Sequence, residues 1–356
     1  MERYRFNPSD ILTELNELNR KFTDASATLM QENTCQVAPH TKEEVLSNNI
    51  FKLYRYEPAG EKRALTPILI TYASINRPYI LDLQEDRSFI KPLLENGFEV
   101  YLIDWGYPKQ KDKFLSLDDY INGFINNCIK HIQRETCLQK VNLLGVCQGG
   151  VLNLCYAAIN PQNISNLVCI NTPVDFHTQN DRVYNHSKHI DFDKLVEAHG
   201  LIPGKVLSLN FINTNPMHFI SRKYSDFALN IDHNERKKLF LRIEKWNFDC
   251  PDQPGTAFGQ FCNDFYKNNK LISSEIIIGS NKVDLKNIVA PVLNIYSTED
   301  IIVPPESSKA LKGLTNSLNY HEIACQGGHI SPFISKKCLS TIPSRLCDWL
   351  MLRDSF

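Results

Sequence analysis

Apolar residues in this chain fall into two patterns. Residues 67–73, 99–106, 141–146, 166–171 and 291–296 are short, nearly unbroken apolar runs rich in Val, Ile and Leu. Runs of that length predict strands buried on both faces of a sheet. Residues 51–56 alternate instead and predict an edge strand, and a further strand is expected over 320–324. Between the runs the period changes. Leu117, Tyr120, Ile121, Phe124, Ile125, Cys128, Ile129 and Ile132 recur at three-and-four spacing behind Ser116 and Asp119, which approximate a capping box. Residues 150–158 can run on as a buried helix, residues 307–312 form a short helix stopped by Gly313, and 342–352 a closing helix. Strands alternating with helices predict an α/β fold with a mainly parallel sheet and right-handed crossovers.

The alternation is interrupted once and extended once. More than a hundred residues separate the runs at 166–171 and 291–296, where a crossover needs a dozen or more. That stretch is rich in aromatics, including Phe211, Phe219, Trp246, Phe258 and Phe265, with a helix expected over 235–243. It reads as a cap inserted over the carboxyl edge of the sheet, where open α/β sheets bind ligands. At the other end, Ser9 and Asp10 precede Ile11, Leu12, Leu15, Leu18 and Phe22, one face of an amphipathic helix that either packs on the core or binds a partner. Thr41-Lys42-Glu43-Glu44 reads as a capping box opening a second, short helix. The expected division is an N-terminal helical extension over 1–50, a core over 51–174 and 285–356, and a cap over 175–284.

With 42% hydrophobic and 22% charged residues and a net charge of −1, the 356-residue chain has globular composition and no basic surplus for nucleic acid. No apolar stretch is long enough for a transmembrane helix, and residues 1–7 lack the apolar run of a secretory signal. The eleven cysteines are odd in number, irregularly spaced and without a C-x-x-C pair, so free thiols are expected rather than a metal site or disulfide framework.

One of those cysteines stands apart. The run at 141–146 ends in Gly145-Val146-Cys147-Gln148-Gly149, a G-x-S-x-G pattern with cysteine in the nucleophile position. A side chain there is carried on a sharp strand-to-helix turn, at a helix N-terminus that favours a thiolate. Asp300 follows the strand at 291–296, and His329 follows the strand at 320–324 in Gln326-Gly327-Gly328-His329-Ile330. Nucleophile, acid and histidine thus occur in the chain order of the α/β-hydrolase triad. The imidazole would take the thiol proton and the carboxylate would fix its tautomer. Glu299 is the rival acid beside Asp300. The backbone N–H of Gln148 and one from Ile75 or Asn76 would form the oxyanion hole.

These residues give the chain a specific resemblance. Tyr72-Ala73-Ser74-Ile75-Asn76-Arg77-Pro78-Tyr79, residues 100–108 and 141–150, Thr172-Pro173-Val174-Asp175-Phe176, Glu244-Lys245-Trp246, Asp264-Phe265-Tyr266 and Gly327-Gly328-His329-Ile330 resemble the catalytic subunit of class III polyhydroxyalkanoate synthases. The likeness extends over nearly the whole chain beyond residue 45. It implies polymerisation of (R)-3-hydroxyacyl-CoA, of short chain such as 3-hydroxybutyryl-CoA, with the polyester carried on Cys147, His329 as base and Asp300 as acid. CoA would be released and no cofactor or metal needed. One departure is Ile301, where the family usually has a second histidine after the aspartate. The resemblance further implies a PhaE-type second subunit, homo-oligomers, and a cytoplasmic enzyme on polyester granules. A cysteine hydrolase and an inactive granule-coating protein are the competing readings.

Overall fold

The structure is a computed structural model that describes residues 8–31, 36–62, 64, 66–179 and 181–354. Residues 1–7, where no secretory segment was expected, lie outside it. Eight strands form the main sheet: β1 (Glu43–Ser47), β2 (Lys52–Tyr56), β3 (Ile68–Thr71), β4 (Val100–Asp104), β5 (Val141–Val146), β6 (Ile164–Ile170), β7 (Val292–Ser297) and β8 (Tyr320–Cys325). Their spatial order is β1-β2-β4-β3-β5-β6-β7-β8. The pairings from β4 through β8 are all parallel, while β1 and β2 are antiparallel.

The unbroken apolar runs are explained by layers on both sides. Leu69, Tyr101, Ile103, Leu143 and Cys169 face one core. Ile68, Ile70, Val100, Leu102, Leu144, Val168 and Ile170 face the other. The period of two is present, but each face is apolar because each is buried. The first face is covered by α2 (Asn126–Thr136), entered through a π-helical segment Asp119–Ile125, and by α3 (Gln148–Ile159). Ser116 and Asp119 form the expected cap, with Ser116 Oγ donating to Asp119 Oδ2 at 2.7 Å. The second face is covered by a short helix at Ile90–Glu95 and by the closing helix Ile342–Asp354.

Two expectations are corrected. Thr41-Lys42-Glu43-Glu44 does not open a helix: residues 43–47 are β1, the true edge of the sheet. Asn48 makes that hairpin, its side-chain oxygen accepting the N–H groups of Ile50 (2.7 Å) and Phe51 (2.9 Å). Lys52 then reaches across to Glu44 at 2.6 Å. Turn chemistry and strand pairing outweigh a local capping signal. The cysteines are also not all free, since Cys325 and Cys338 form a disulfide. They are thirteen residues apart, and the fold brings their Cα atoms to 6.2 Å. Cys128, Cys155 and Cys262 are buried thiols whose pKa burial pushes well up, as expected of packing cysteines.

Helices follow β6 as expected, among them α4 (Gly204–Thr214), α5 (Lys223–Leu229), α6 (Asn234–Phe248) and α7 (Gly255–Phe261). The stretch does not stand wholly apart from the core. Phe261, Phe265, Leu271, Ile276 and Ile278 pack into the first core against Phe176 and α3. At the N-terminus, the helix Pro8–Gln31 touches the rest of the chain through Ala25, which packs with Phe227 and Ala228 on α5, and through an Arg20–Asp232 ion pair at 3.2 Å. Its Ile11, Leu12, Leu15 and Phe22 remain exposed. No helix among the described residues is long and apolar enough to cross a membrane.

Candidate active site

Because β3, β5, β7 and β8 run parallel, their carboxyl ends share one edge of the sheet, and the segments that leave them meet there. The turn after β5 is the sharpest. Cys147 has φ +53° and ψ −123°, a strained conformation for a residue with a Cβ. The strain is held from both sides: Cys147 N–H donates to Ile170 O of β6 at 2.9 Å, and its own carbonyl accepts from Gly150 N–H at 2.9 Å. The neighbouring glycines are required by close approach, not by backbone angle. A Cβ on Gly149 would lie 2.2 Å from Thr71 O, one on Gly145 2.4 Å from Gly150 Cα, and one on Gly150 1.9 Å from Thr172 Oγ1.

Asp300 and His329 come together at that edge. His329 Nδ1–H donates to Asp300 Oδ2 at 2.6 Å. Asp300 Oδ1 accepts the N–H groups of Ile302 (2.8 Å) and Val303 (2.9 Å), so both carboxylate oxygens are occupied and the side chain is buried. Glu299 is exposed and lines an outer cavity. The Cys147 side chain lies close enough to the ring to raise the imidazole's pKa together with Asp300. Burial disfavours charge on the ring, but the Asp300 carboxylate bonded to it, with the neighbouring Cys147 side chain, outweighs burial and holds the His329 pKa well above the imidazole range.

Asn171 is a residue the sequence reading missed. It sits at the end of β6 with φ +46°, and its amide donates to His329 O (2.6 Å) and Ser297 Oγ (3.0 Å) while its oxygen accepts Ser297 N–H at 2.8 Å. One side chain thereby ties the ends of β6 and β7 to the histidine loop. An Asn ending a buried strand was the available signal.

The proposed oxyanion residues separate. Gln148 is the first residue of α3, where its N–H has no intrahelical acceptor. Its side-chain oxygen accepts Ser74 N–H (3.0 Å) and Ser74 Oγ–H (2.8 Å), which anchors the loop after β3. Ser74 is bonded in turn to Gln253, which donates to Ser74 O at 2.8 Å. Ile75 lines both small cavities at Cys147. Asn76 has φ +59° and lines one of them, and its side-chain amide donates to Trp246 O at 2.9 Å.

Cys147 opens into two chambers. One, of about 110 Å³, is almost wholly apolar and bounded by Phe192, Leu207, Phe211, Phe258 and Tyr266. The other, of about 120 Å³, includes Asn76, Ser208, Lys223, Asn247 and His329. Among the described residues no three His, Cys, Asp or Glu side chains cluster as metal ligands.

A parallel sheet with a nucleophile-type turn, an aspartate–histidine pair and helices over its carboxyl edge defines an α/β hydrolase, and the family model of the alpha/beta hydrolase fold matches residues 78–334. The monoacylglycerol lipase of Paleococcus ferrophilus has a similar fold, with a TM-score of 0.52 at 17% identity over 85% of this chain and 99% of the lipase. Within that class a second model, poly-beta-hydroxybutyrate polymerase (PhaC) N-terminus, matches residues 7–93. The poly(3-hydroxyalkanoate) polymerase subunit PhaC of Allochromatium vinosum is 43% identical over 96% of this chain and 97% of its own length. That of Thiocystis violacea is 41% identical over 98% of each. The chain belongs to the PhaC family of class III polyhydroxyalkanoate synthases.

Proposed function

We propose that this chain polymerises (R)-3-hydroxyacyl-CoA thioesters into polyester through an acyl group on Cys147. The observation that carries this reading is the Asp300–His329 hydrogen bond at the sheet edge, with His329 and Cys147 lining one chamber, in a member of a family whose relatives are named polymerases. The Cys147 thiolate attacks the thioester carbonyl, and the N–H groups of Gln148 and Ile75 receive the developing oxyanion. CoA leaves as the thiol, taking its proton from the His329 imidazolium. The neutral imidazole then accepts the proton of the 3-hydroxyl of a second thioester. That oxygen attacks the acyl-cysteine, an ester forms, and the thiolate–imidazolium pair returns. The lengthened thioester reacylates Cys147 and the cycle repeats.

Exchange of one thioester for another is nearly isoergic, so the enzyme-bound acyl group stays reactive. The enclosed chambers at Cys147 keep water from it and turn a hydrolase arrangement into a transferase. Their size suits a short acyl group such as 3-hydroxybutyryl. The PhaE-type second subunit fits the exposed apolar stripe of Ile11, Leu12 and Leu15, and the enzyme would work in the cytoplasm at the surface of polyester granules. The test is incubation with 3-hydroxybutyryl-CoA followed by peptide mass spectrometry and product analysis. An acyl adduct on Cys147 with polymer and free CoA is expected. An adduct on another cysteine would remove the assignment, and free 3-hydroxybutyrate without polymer would make the protein a hydrolase.

A further inference from the structure

The more polar chamber at Cys147 does not end blindly. It shares Phe219, Lys223, Trp246, Asn247, Ile302 and His329 with a solvent-open cavity of about 680 Å³, so the two form successive parts of one route from solvent to the reacting sulfur. The apolar chamber meets it at Ile75, Cys147, Phe211 and Ile302. A thioester at Cys147 has an apolar acyl side and a long polar thiol side. The acyl side suits the apolar chamber, which directs the thiol side out along the open route.

The outer cavity is lined by Arg222, Lys223, Arg236 and Lys237, with Asp226 and Glu299 the acids facing it. Lys223 is neutralised by Glu244 at 2.8 Å. Arg236 has one guanidinium nitrogen on the Asn230 side-chain oxygen at 2.5 Å and its others unassigned to a carboxylate. Arg222 and Lys237 face the cavity with no acidic partner within ion-pair distance among the described residues. In a chain of net charge −1, three cations free of direct pairing at the mouth of the route to the nucleophile are a local reversal of sign. The volume is also within the range of cavities that hold a ligand of nucleotide size.

We propose that Arg222, Arg236 and Lys237 form the subsite for the phosphate groups of the CoA half of the substrate. This rests on the reading of Cys147 as the acyl carrier, and it adds which residues hold the anionic end. Guanidinium groups pair phosphate oxygens in a bidentate fashion, and a lysine adds a point charge. The subsite is more than the pantetheine arm requires, so it acts on binding and not on the chemical step.

The test compares the wild type with the Arg222→Gln/Lys237→Gln double variant on three substrates. These are the 3-hydroxybutyryl thioesters of CoA, of 3′-dephospho-CoA and of pantetheine, followed by thiol release. For two exposed charge contacts the KM for the CoA thioester should rise about five- to tenfold with kcat unchanged. The effect should shrink with dephospho-CoA and vanish with pantetheine. Lys238→Gln removes the same charge from α6 outside the cavity, where Lys238 faces Glu235, and should change nothing. Equal KM values for variant and wild type, or an equal loss on all three thioesters, would overturn the subsite. Titration of free CoA by calorimetry separates the two readings. A weaker affinity in the double variant supports the subsite even if no thioester acylates Cys147, and an unchanged affinity rejects it even if acylation proceeds.

Discussion

Asp300 is the residue whose replacement says most about the site. In Asp300→Asn the amide oxygen would stay with the Ile302 and Val303 N–H groups, leaving the NH₂ pointing at His329 Nδ1. Nδ1 must then accept, which moves the ring proton to the nitrogen facing Cys147, and the base function is lost. CoA release should fall on the order of 10³- to 10⁴-fold, while Glu299→Gln keeps most of it. Full activity in Asp300→Asn with none in Glu299→Gln would reverse the assignment. His329 makes a second prediction, through pH. Its folded pKa is raised, so the imidazolium contributes stability that is fully present below the unfolded value of ~6.5. That contribution is lost as pH rises through the folded value. The difference in Tm between the wild type and His329→Gln should therefore be largest in mildly acidic buffer and narrow as the buffer becomes alkaline; a difference independent of pH would show that the charged pair does not form. At this scale the positions of Cys147, Asp300 and His329 were legible, because each follows closely on a strand. Asn171 was not, because its role is set by which loops the fold brings to the end of β6.

At the scale of elements, the turn after β5 depends on backbone approach. Gly149→Ala places a methyl 2.2 Å from Thr71 O, a backbone atom of β3 that cannot move without breaking the sheet. Destabilisation of about 1–3 kcal/mol is expected, read from the midpoint of urea unfolding. Gly313→Ala, where a Cβ would meet nothing within 4 Å, should show only the smaller cost of its φ of +85°. The buried strands and the helix over 117–132 were readable because their periods are long and uninterrupted. The hairpin of β1 and β2 was not, since Glu43 and Glu44 imitate a helix start and only pairing with residues 52–55 decides for the strand. The helix Pro8–Gln31 was readable as amphipathic, but not how little of its apolar face the chain itself would cover.

For the molecule as a whole, chambers of about 110 and 120 Å³ beside Cys147 are small for a lengthening polyester, and the proposed reaction predicts that the helices above them move during turnover. The closed arrangement is fastened where α6 meets the loop after β3: Trp246 Nε1–H donates to Arg77 O at 2.8 Å, and Asn76 returns a bond to Trp246 O. Trp246→Phe removes the first of these, worth about 1 kcal/mol. Amide exchange in residues 204–248 should quicken severalfold in that variant, and any lag in CoA release should shorten. Unchanged exchange in both would mean that the fastening lies elsewhere.

Periodicity along the chain determined the layered α/β architecture, because a strand buried on both faces and a helix buried on one each impose a pattern that no other element tolerates. Spacing at strand ends placed the three candidate residues, because a parallel sheet gathers the carboxyl ends of its strands on one edge. Only the tertiary structure decided the rest. The Cys325–Cys338 bond, the Asn171 tie and the cavity lining beside Cys147 all depend on distances between residues that the sequence does not place together. Those distances are fixed by packing, which leaves no periodic trace in the chain.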